Sequence, residues 1–325
     1  MSRPKVLLIG ATGNTGGSIL DAMLAADQFD IELLIRPTSV PKPAVQALLQ
    51  RDNLSHRVVD LDLPEDALVP ALAGIDILVS TLGPATVAQE KTLVRAAKRA
   101  GVQRFVPSSW VTVAPPWGAM LLREEKEEIL AELRAQNMDY TVIDVGYWYQ
   151  LSLPPVPSGR LSYAIPVPST TIHGDGTAPT ILTDLRDIGR FVARIVADPR
   201  TRNRSVYTCS AVLSEEEIFE IVEAVSGERV GRIHESEEET LRNVDQALAE
   251  LAADPTDFWK RAQVYLAQYR CSKYVRRENT PQKAAELGYL DARALYPDLR
   301  TVEFGEFVGE VLAGRGRNPY PRSGF

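Results

Sequence analysis

Apolar positions fall into two alternating patterns along the first half of the chain. Short unbroken apolar runs begin at Lys5 (KVLLIG), Ile31 (IELLIR), His56 (HRVVDLD), Asp76 (DILVST), Arg104 (RFVPSS) and Asp139 (DYTVIDVG). Between them lie stretches with apolar residues three and four apart: one after the first run, one over about 43–52, a short one from Pro64, TVAQEKTLVRAAKRAG ending at Gly101, and one over about 117–136. Strands too apolar to alternate are buried on both faces, and helices between them supply the cover. The pattern predicts an α/β fold built on a doubly wound parallel sheet.

Past residue 150 the pattern changes. LSLPPVPSGRLSYAIPVPS carries five prolines in nineteen residues, which excludes helix and predicts irregular connections and edge strands. TDLRDIGRFVARIVADP reads as a helix entered from Thr183 or Asp184, and SVYTCS from Ser205 as a strand returning to the main sheet. SEEEIFEIVEAVSG is a helix with Ser214 and Glu217 in capping-box register. The acidic run Glu237–Glu239 reads as a solvated helix start. A division into residues 1–150 and a smaller lobe over 151–325 follows.

The first strand ends in Gly10-x-x-Gly13-x-x-Gly16 and passes directly into helical periodicity. Gly10 permits the turn, Gly13 leaves backbone N–H groups open to a pyrophosphate, and Gly16 allows close helix packing. Thr12, Asn14 and Thr15 complete this loop, and an anion sits at the positive end of the helix. The second strand closes a βαβ unit of dinucleotide-binding length, so residues 1–150 are read as a Rossmann domain and 151–325 as the substrate lobe. An NAD site has an acidic residue after that strand; here stands Arg36, which pairs with a 2′-phosphate and offers no acceptor to a ribose hydroxyl. NADP(H) is the expected cofactor, with Thr38, Ser39 and Lys42 as further donors.

Ligands of such sheets bind at the carboxyl ends of the strands. Asp60–Leu61, Thr81, Leu82 and Gly83, Ser108 and Ser109, and Gly146–Tyr147 are therefore expected to converge with the glycine loop. The helix over 117–136 lacks the Tyr-x-x-x-Lys pair of most short-chain dehydrogenases. Such a string stands at Tyr269–Lys273, far along the chain, and is read as a chance match. Lys126 shares a helical face with Ile129 and Leu133, which turns it toward the sheet. Burial beside a nicotinamide lowers a lysine pKa and makes it a usable acid/base; a surface lysine pairing with its neighbouring glutamates is the alternative. Trp110, Trp117, Tyr147, Trp148 and Tyr149 could wall a pocket for a planar apolar substrate. Ser109, Trp110, Tyr147 and Trp148 are the expected substrate contacts, and Tyr147 a second proton-transfer candidate.

Composition narrows the partners. The 325 residues are 45% hydrophobic, and 36 basic against 43 acidic residues give a net charge of −7, so nucleic acid is not an expected ligand. No apolar stretch reaches the ~18 residues of a membrane span, and a cytoplasmic location as monomer or homodimer is expected. Cys209 and Cys271 are far apart, and His56, His173 and His234 are scattered; neither a disulfide scaffold nor a zinc site is expected.

GATGNTG, Arg36, FVPSSW from Phe105, Lys126-x-x-Ile129 before DYTVI, HGDG at His173, DLRDIG at Asp184 and ALYPDLRTVEF at Ala294 together resemble the NmrA-like and isoflavone-reductase-like atypical short-chain dehydrogenases. The resemblance spans nearly the whole chain. It implies Lys126 as catalytic acid/base and hydride transfer from NADPH to a small, aromatic or heterocyclic metabolite of secondary metabolism. Two other uses of the fold stay open: a redox-sensing regulator that binds dinucleotide without turnover, and a redox-neutral cyclase. Ser109-Trp110 replaces the Glu-Phe of plant reductases, Leu130 and Ala131 replace arginines, and Gly146-Tyr147-Trp148 replaces Asn-x-Phe. All three departures surround the expected substrate site.

Overall fold

The computed structural model describes residues 3–51 and 54–321. Five strands, β1 (Lys5–Ile9), β2 (Asp30–Ile35), β3 (Ser55–Val58), β4 (Ile77–Ser80) and β5 (Arg104–Val106), form a parallel sheet in the order β3-β2-β1-β4-β5. The helices between them are α1 (Asn14–Ala26), α2 (Pro43–Leu49), α3 (Glu65–Leu72), α4 (Val87–Arg99) and, after β5, α5 (Leu121–Ala135). The end expected for α2 at residue 52 lies outside the described residues. A parallel bridge from Phe105 to Tyr140 leads on to β6 (Thr141–Asp144).

The strands of the second half are β7 (Tyr147–Trp148), β8 (Thr171–His173), β9 (Thr180–Thr183), β10 (Arg204–Tyr207), β11 (Ala211–Leu213), β12 (Ile233–Glu235) and β13 (Leu290–Asp291). Its helices are α6 (Leu185–Ala197), α7 (Glu215–Ser226), α8 (Glu237–Ala253), α9 (Phe258–Arg270), α10 (Pro281–Glu286), α11 (Ala292–Leu295) and α12 (Phe304–Leu312). β10 lies parallel to β6 on one side and to β13 on the other, so the chain does return to the layer it left. No strand forms between Tyr149 and Thr170; the proline-rich stretch is loop and short 3-10 turns. Edge strands expected there are absent because prolines remove the N–H groups a ladder needs.

The sheet is apolar on both sides because successive strand residues point oppositely. Val6 and Leu8 pack with Ile19, Leu20 and Met23 of α1 and Ile188, Phe191 and Val192 of α6. Leu7 and Ile9 face Leu93 of α4 and Ile129 and Leu133 of α5. A separate core joins Tyr149, Leu161 and Ile172 to Phe219 of α7 and Phe304 and Phe307 of α12. The capping box of Ser214 and Glu217 forms, and Ser236 with Glu239 makes another at the acidic start of α8.

α1 rests almost in contact with the turn that precedes it. A Cβ at Gly16 would overlap the Gly10 carbonyl oxygen and lie 2.7 Å from Thr81 Oγ1, whereas one at Gly17 would meet only Ala11 O at 3.4 Å. Gly16→Ala is therefore expected to lower stability by about 1–3 kcal/mol through overpacking. Gly17→Ala should be neutral or gain up to ~1 kcal/mol from helix propensity. Urea midpoints compare the two; equal midpoints would show that α1 is free to shift.

Candidate active site

β1 delivers the chain to Gly10, held at φ 87°, and the Gly13 amide closes the turn onto Gly10 O at 2.9 Å. α1 then starts with Gly13 as N-cap, without a side-chain cap and without an acidic residue in its first turn. The leading N–H groups of this helix thus meet no side-chain acceptor among the described residues, and they carry its partial positive charge. That end suits a diphosphate.

It opens onto a cavity of about 560 Å³. The cavity brings together Gly13, Asn14, Thr15 and Gly16 from the loop, Thr81, Leu82 and Gly83 after β4, Ser108, Ser109 and Trp110 after β5, Lys126 of α5, and Tyr147 and Trp148 of β7. Four expected cofactor contacts are not among its walls. Gly10 supports the turn from behind, Thr12 is exposed, and exposed Arg36 and Lys42 flank the short turn after β2. Arg36 nonetheless follows directly on the carboxyl end of β2, the strand paired with β1. Asp60 and Leu61 also stay outside the cavity; Leu61 is core. Two of the five aromatic residues leave the expected wall: Tyr149 is core, its hydroxyl donating to Val302 O at 3.1 Å, and Trp117 is 60% exposed.

Lys126 is 8% exposed. Burial lowers its pKa from the ordinary lysine value; Glu90 and Glu125 oppose the fall, and Arg123 adds to it. Neither carboxylate forms an ion pair with it among the described residues. Glu90 is itself fully buried, where burial raises its carboxyl despite Lys126, and it accepts the Ser108 amide at 2.7 Å. Tyr147 is pushed up to about 12 by burial, so at neutral pH its hydroxyl is a proton donor and not a base. Trp110 holds φ at 31°, rare for a bulky residue, with its indole donating to Ser80 O at 2.9 Å.

The opposite wall was not expected. Tyr265, Tyr269 and Arg270 of α9 face the cavity, followed by Lys273 and Tyr274 in a π-turn over Cys271–Val275. The Tyr269–Lys273 string, read from sequence as a chance match remote from the site, lies on it. α9 is fastened to α5: Arg261 and Tyr265 reach Glu125 at 2.7 and 2.8 Å, and Gln268 accepts the Leu121 amide at 2.8 Å. The available signal was the i, i+4 spacing of Tyr265, Tyr269 and Lys273 along one helix face. His173 and Glu215 also line the cavity, joined at 2.9 Å.

A buried ionic cluster sets the frame. Asp144, at the end of β6, accepts from Arg123, from Ser109 Oγ at 2.7 Å and from Tyr289 Oη at 2.6 Å. Arg123 also donates to Thr112 O at 2.8 Å. The Ser109 hydroxyl, expected on substrate, is thus already engaged.

A Rossmann-type sheet, an open helix N-terminus and a buried lysine on one cavity define a dinucleotide-dependent class of fold and site. The chain belongs to the NmrA-like family, whose model matches residues 2–302. It is 38% identical over 95% of its length to asnovolin J 5′,6′-dehydrogenase of Aspergillus novofumigatus, covering 95% of that protein. It is 27% identical to a phenylcoumaran benzylic ether reductase of Pyrus communis, over 96% of this chain and 99% of the relative. In fold it resembles leucoanthocyanidin reductase of Vitis vinifera, solved as a binary complex with NADPH, at TM-score 0.77 and 21% identity over 95% of this chain and 99% of that one.

Asp144→Ala leaves the buried Arg123 guanidinium with only its longer ion pair to Glu127 at 3.6 Å and is expected to cost about 3–5 kcal/mol. Arg123→Met with Asp144→Leu, which removes both charges, should recover much of that loss. Urea unfolding of the single and double variants decides; a single variant as stable as wild type would show the cluster to be solvated.

Proposed function

We propose that the protein is an NADP(H)-dependent oxidoreductase that reduces a small aromatic or heterocyclic metabolite, with Lys126 as general acid/base. The observation that carries the reading is a buried lysine that forms no ion pair among the described residues, on the cavity that the uncapped N-terminus of α1 opens into. A sensor that only binds dinucleotide has no use for such a group. The reductase and dehydrogenase names of the relatives, and the likeness in fold to a reductase solved with NADPH, support the same reading.

In this reading the backbone at Gly13–Gly16 holds the diphosphate, and Arg36 holds the 2′-phosphate by charge-assisted hydrogen bonds. Thr81, Leu82, Gly83 and Ser108 line the rest of the cofactor's path. NADPH, when bound, supplies the hydride. Lys126 delivers the accompanying proton, which its depressed pKa makes easier to release than from a solvated lysine. Trp110, Tyr147 and Trp148 flank the substrate. The proposed division is a nucleotide half over 1–150 and a substrate half over 151–325, the latter also lending α6, β10 and β13 to the first layer. Cytoplasmic residence is proposed with it; no described helix is long and apolar enough to cross a membrane.

Arg36→Ala is expected to weaken NADPH binding roughly ten- to a hundredfold while leaving the weaker NADH binding unchanged. Fluorescence titration measures both, and an unaltered preference would remove Arg36 from the site.

Lys126→Ala is expected to lower kcat by about 10²–10⁴-fold, with NADPH affinity little changed. Lys126→Arg should be nearly as damaging, since a guanidinium does not release its proton. As an acid, Lys126 supports turnover below its pKa, and the rate should fall as pH rises through a value below the ordinary lysine range. Phenolic ethers, enones and cyclic imines, screened by NADPH consumption, supply the assay. Near-wild-type turnover by Lys126→Ala would overturn the assignment.

A further inference from the structure

Lys273 is 3% exposed, yet its Nζ makes no ion pair among the described residues. Nζ sits 3.4 Å from the ring centroid of Tyr147 and 4.4 Å from that of Tyr274, and donates to Tyr274 Oη at 3.0 Å. An ammonium has three donors. Hydrogen bonding to Tyr274 uses one, and the Tyr147 face stabilises the charge without accepting a conventional hydrogen bond. The π-turn brings Lys273 and Tyr274, consecutive residues, to the same cavity.

The charges around the cavity are lopsided. Its walls hold Lys126, Arg270 and Lys273 against a single carboxylate, Glu215. That carboxylate accepts the His173 amide at 2.7 Å and His173 Nδ1 at 2.9 Å, and its charge also reaches Tyr274 and, without an ion pair among the described residues, Lys273. A buried cation without an ion-paired anion is costly to keep, and an anionic ligand lowers that cost.

We propose that Lys273 is the substrate anchor, binding an anionic oxygen, a carboxylate or an enolate, carried by an otherwise apolar ring system that packs on Tyr147. This deepens the reductase reading and rests on it for the word substrate. The binding claim itself concerns only the α9 wall. Burial lowers the Lys273 pKa to about 7, with Glu215 opposing and Arg270 adding to the fall. Anion binding should therefore be strong below about pH 7 and decline as pH rises and the ammonium is lost. The charged groups that act on Nζ are Glu215 from α7 and Arg270 from α9, and the rings of Tyr147 from β7 and Tyr274 lie against it; behind these, Tyr269 of α9 packs edge-on to Tyr147 and His173 of β8 stacks on Tyr274.

The full-length protein is titrated with 2-naphthoate, 4-hydroxycoumarin and the neutral 2-naphthamide, following tryptophan fluorescence with and without saturating NADPH. Wild type should bind one or both anions roughly ten- to a hundredfold more tightly than the amide, the value of a charge-assisted bond. Preference for naphthoate assigns a carboxylate, and preference for hydroxycoumarin an enolate. Lys273→Met should abolish both the anion preference and its decline with pH, leaving NADPH affinity unchanged. Equal binding of anion and amide by wild type overturns the proposal without recourse to a variant. So does a pH decline that persists in Lys273→Met, which would belong to another facing group, or a loss of NADPH affinity in that variant, which would make Lys273 a cofactor contact. Failure of the protein to bind NADPH, with anion preference intact, would instead sink the reductase reading alone.

Discussion

Everything at the candidate site hangs on the buried charge pair of Arg123 and Asp144. Asp144 has no exposed surface and Arg123 almost none, so each depends on the other for charge compensation, with Glu127 a more distant second partner of Arg123. Their partners come from four segments: the loop after β5 through Ser109 and Thr112, α5 through Arg123, the end of β6, and Tyr289 just before β13. Lys126 stands one turn beyond Arg123 on α5. The position of that lysine relative to the strand ends is therefore set by this ionic cluster together with the packing of Ile129 and Leu133 on the sheet.

The cavity is built between two layers with different chemistry. On the sheet side, backbone groups dominate: an uncapped helix N-terminus and the ends of β4 and β5. On the α9 side, long side chains dominate, with aromatic rings and two cations among them. α9 belongs to an antiparallel pair with α8 whose own core is small, comprising Ala247, Leu251, Val264 and Ala267. Its register against α5 is held by Glu125 and Gln268. The α9 wall is thus tied to α5 through polar contacts, whereas the sheet side is held by apolar packing.

The layering of the sheet, the glycine turn and the helix carrying Lys126 were legible in the chain because each depends on residues close in sequence. A buried parallel strand must be apolar throughout, an amphipathic helix must repeat near 3.6 residues, and a left-handed turn calls for glycine, as at Gly10. The inward orientation of Lys126 followed from its spacing to Ile129 and Leu133 in the same way. What local pattern misjudged was reach. Tyr149 has the aromatic character of its neighbours yet turns into the core with Phe304, and Trp117 is left outward, since alternation along an irregular segment does not say which face will be covered.

The sequence by itself determined the fold class, the phosphate-type turn and a lysine aimed at the sheet, all of which rest on short-range periodicity and backbone conformational preference. Only the tertiary structure decided that Tyr269, Lys273 and Tyr274 meet Tyr147 across more than a hundred residues of chain, and that Asp144 neutralises Arg123. Side chains of that kind carry no periodic signature of their partners. Their meeting is fixed by how whole helices dock, and docking is selected by the summed burial and charge compensation of the folded molecule, quantities that no local window contains.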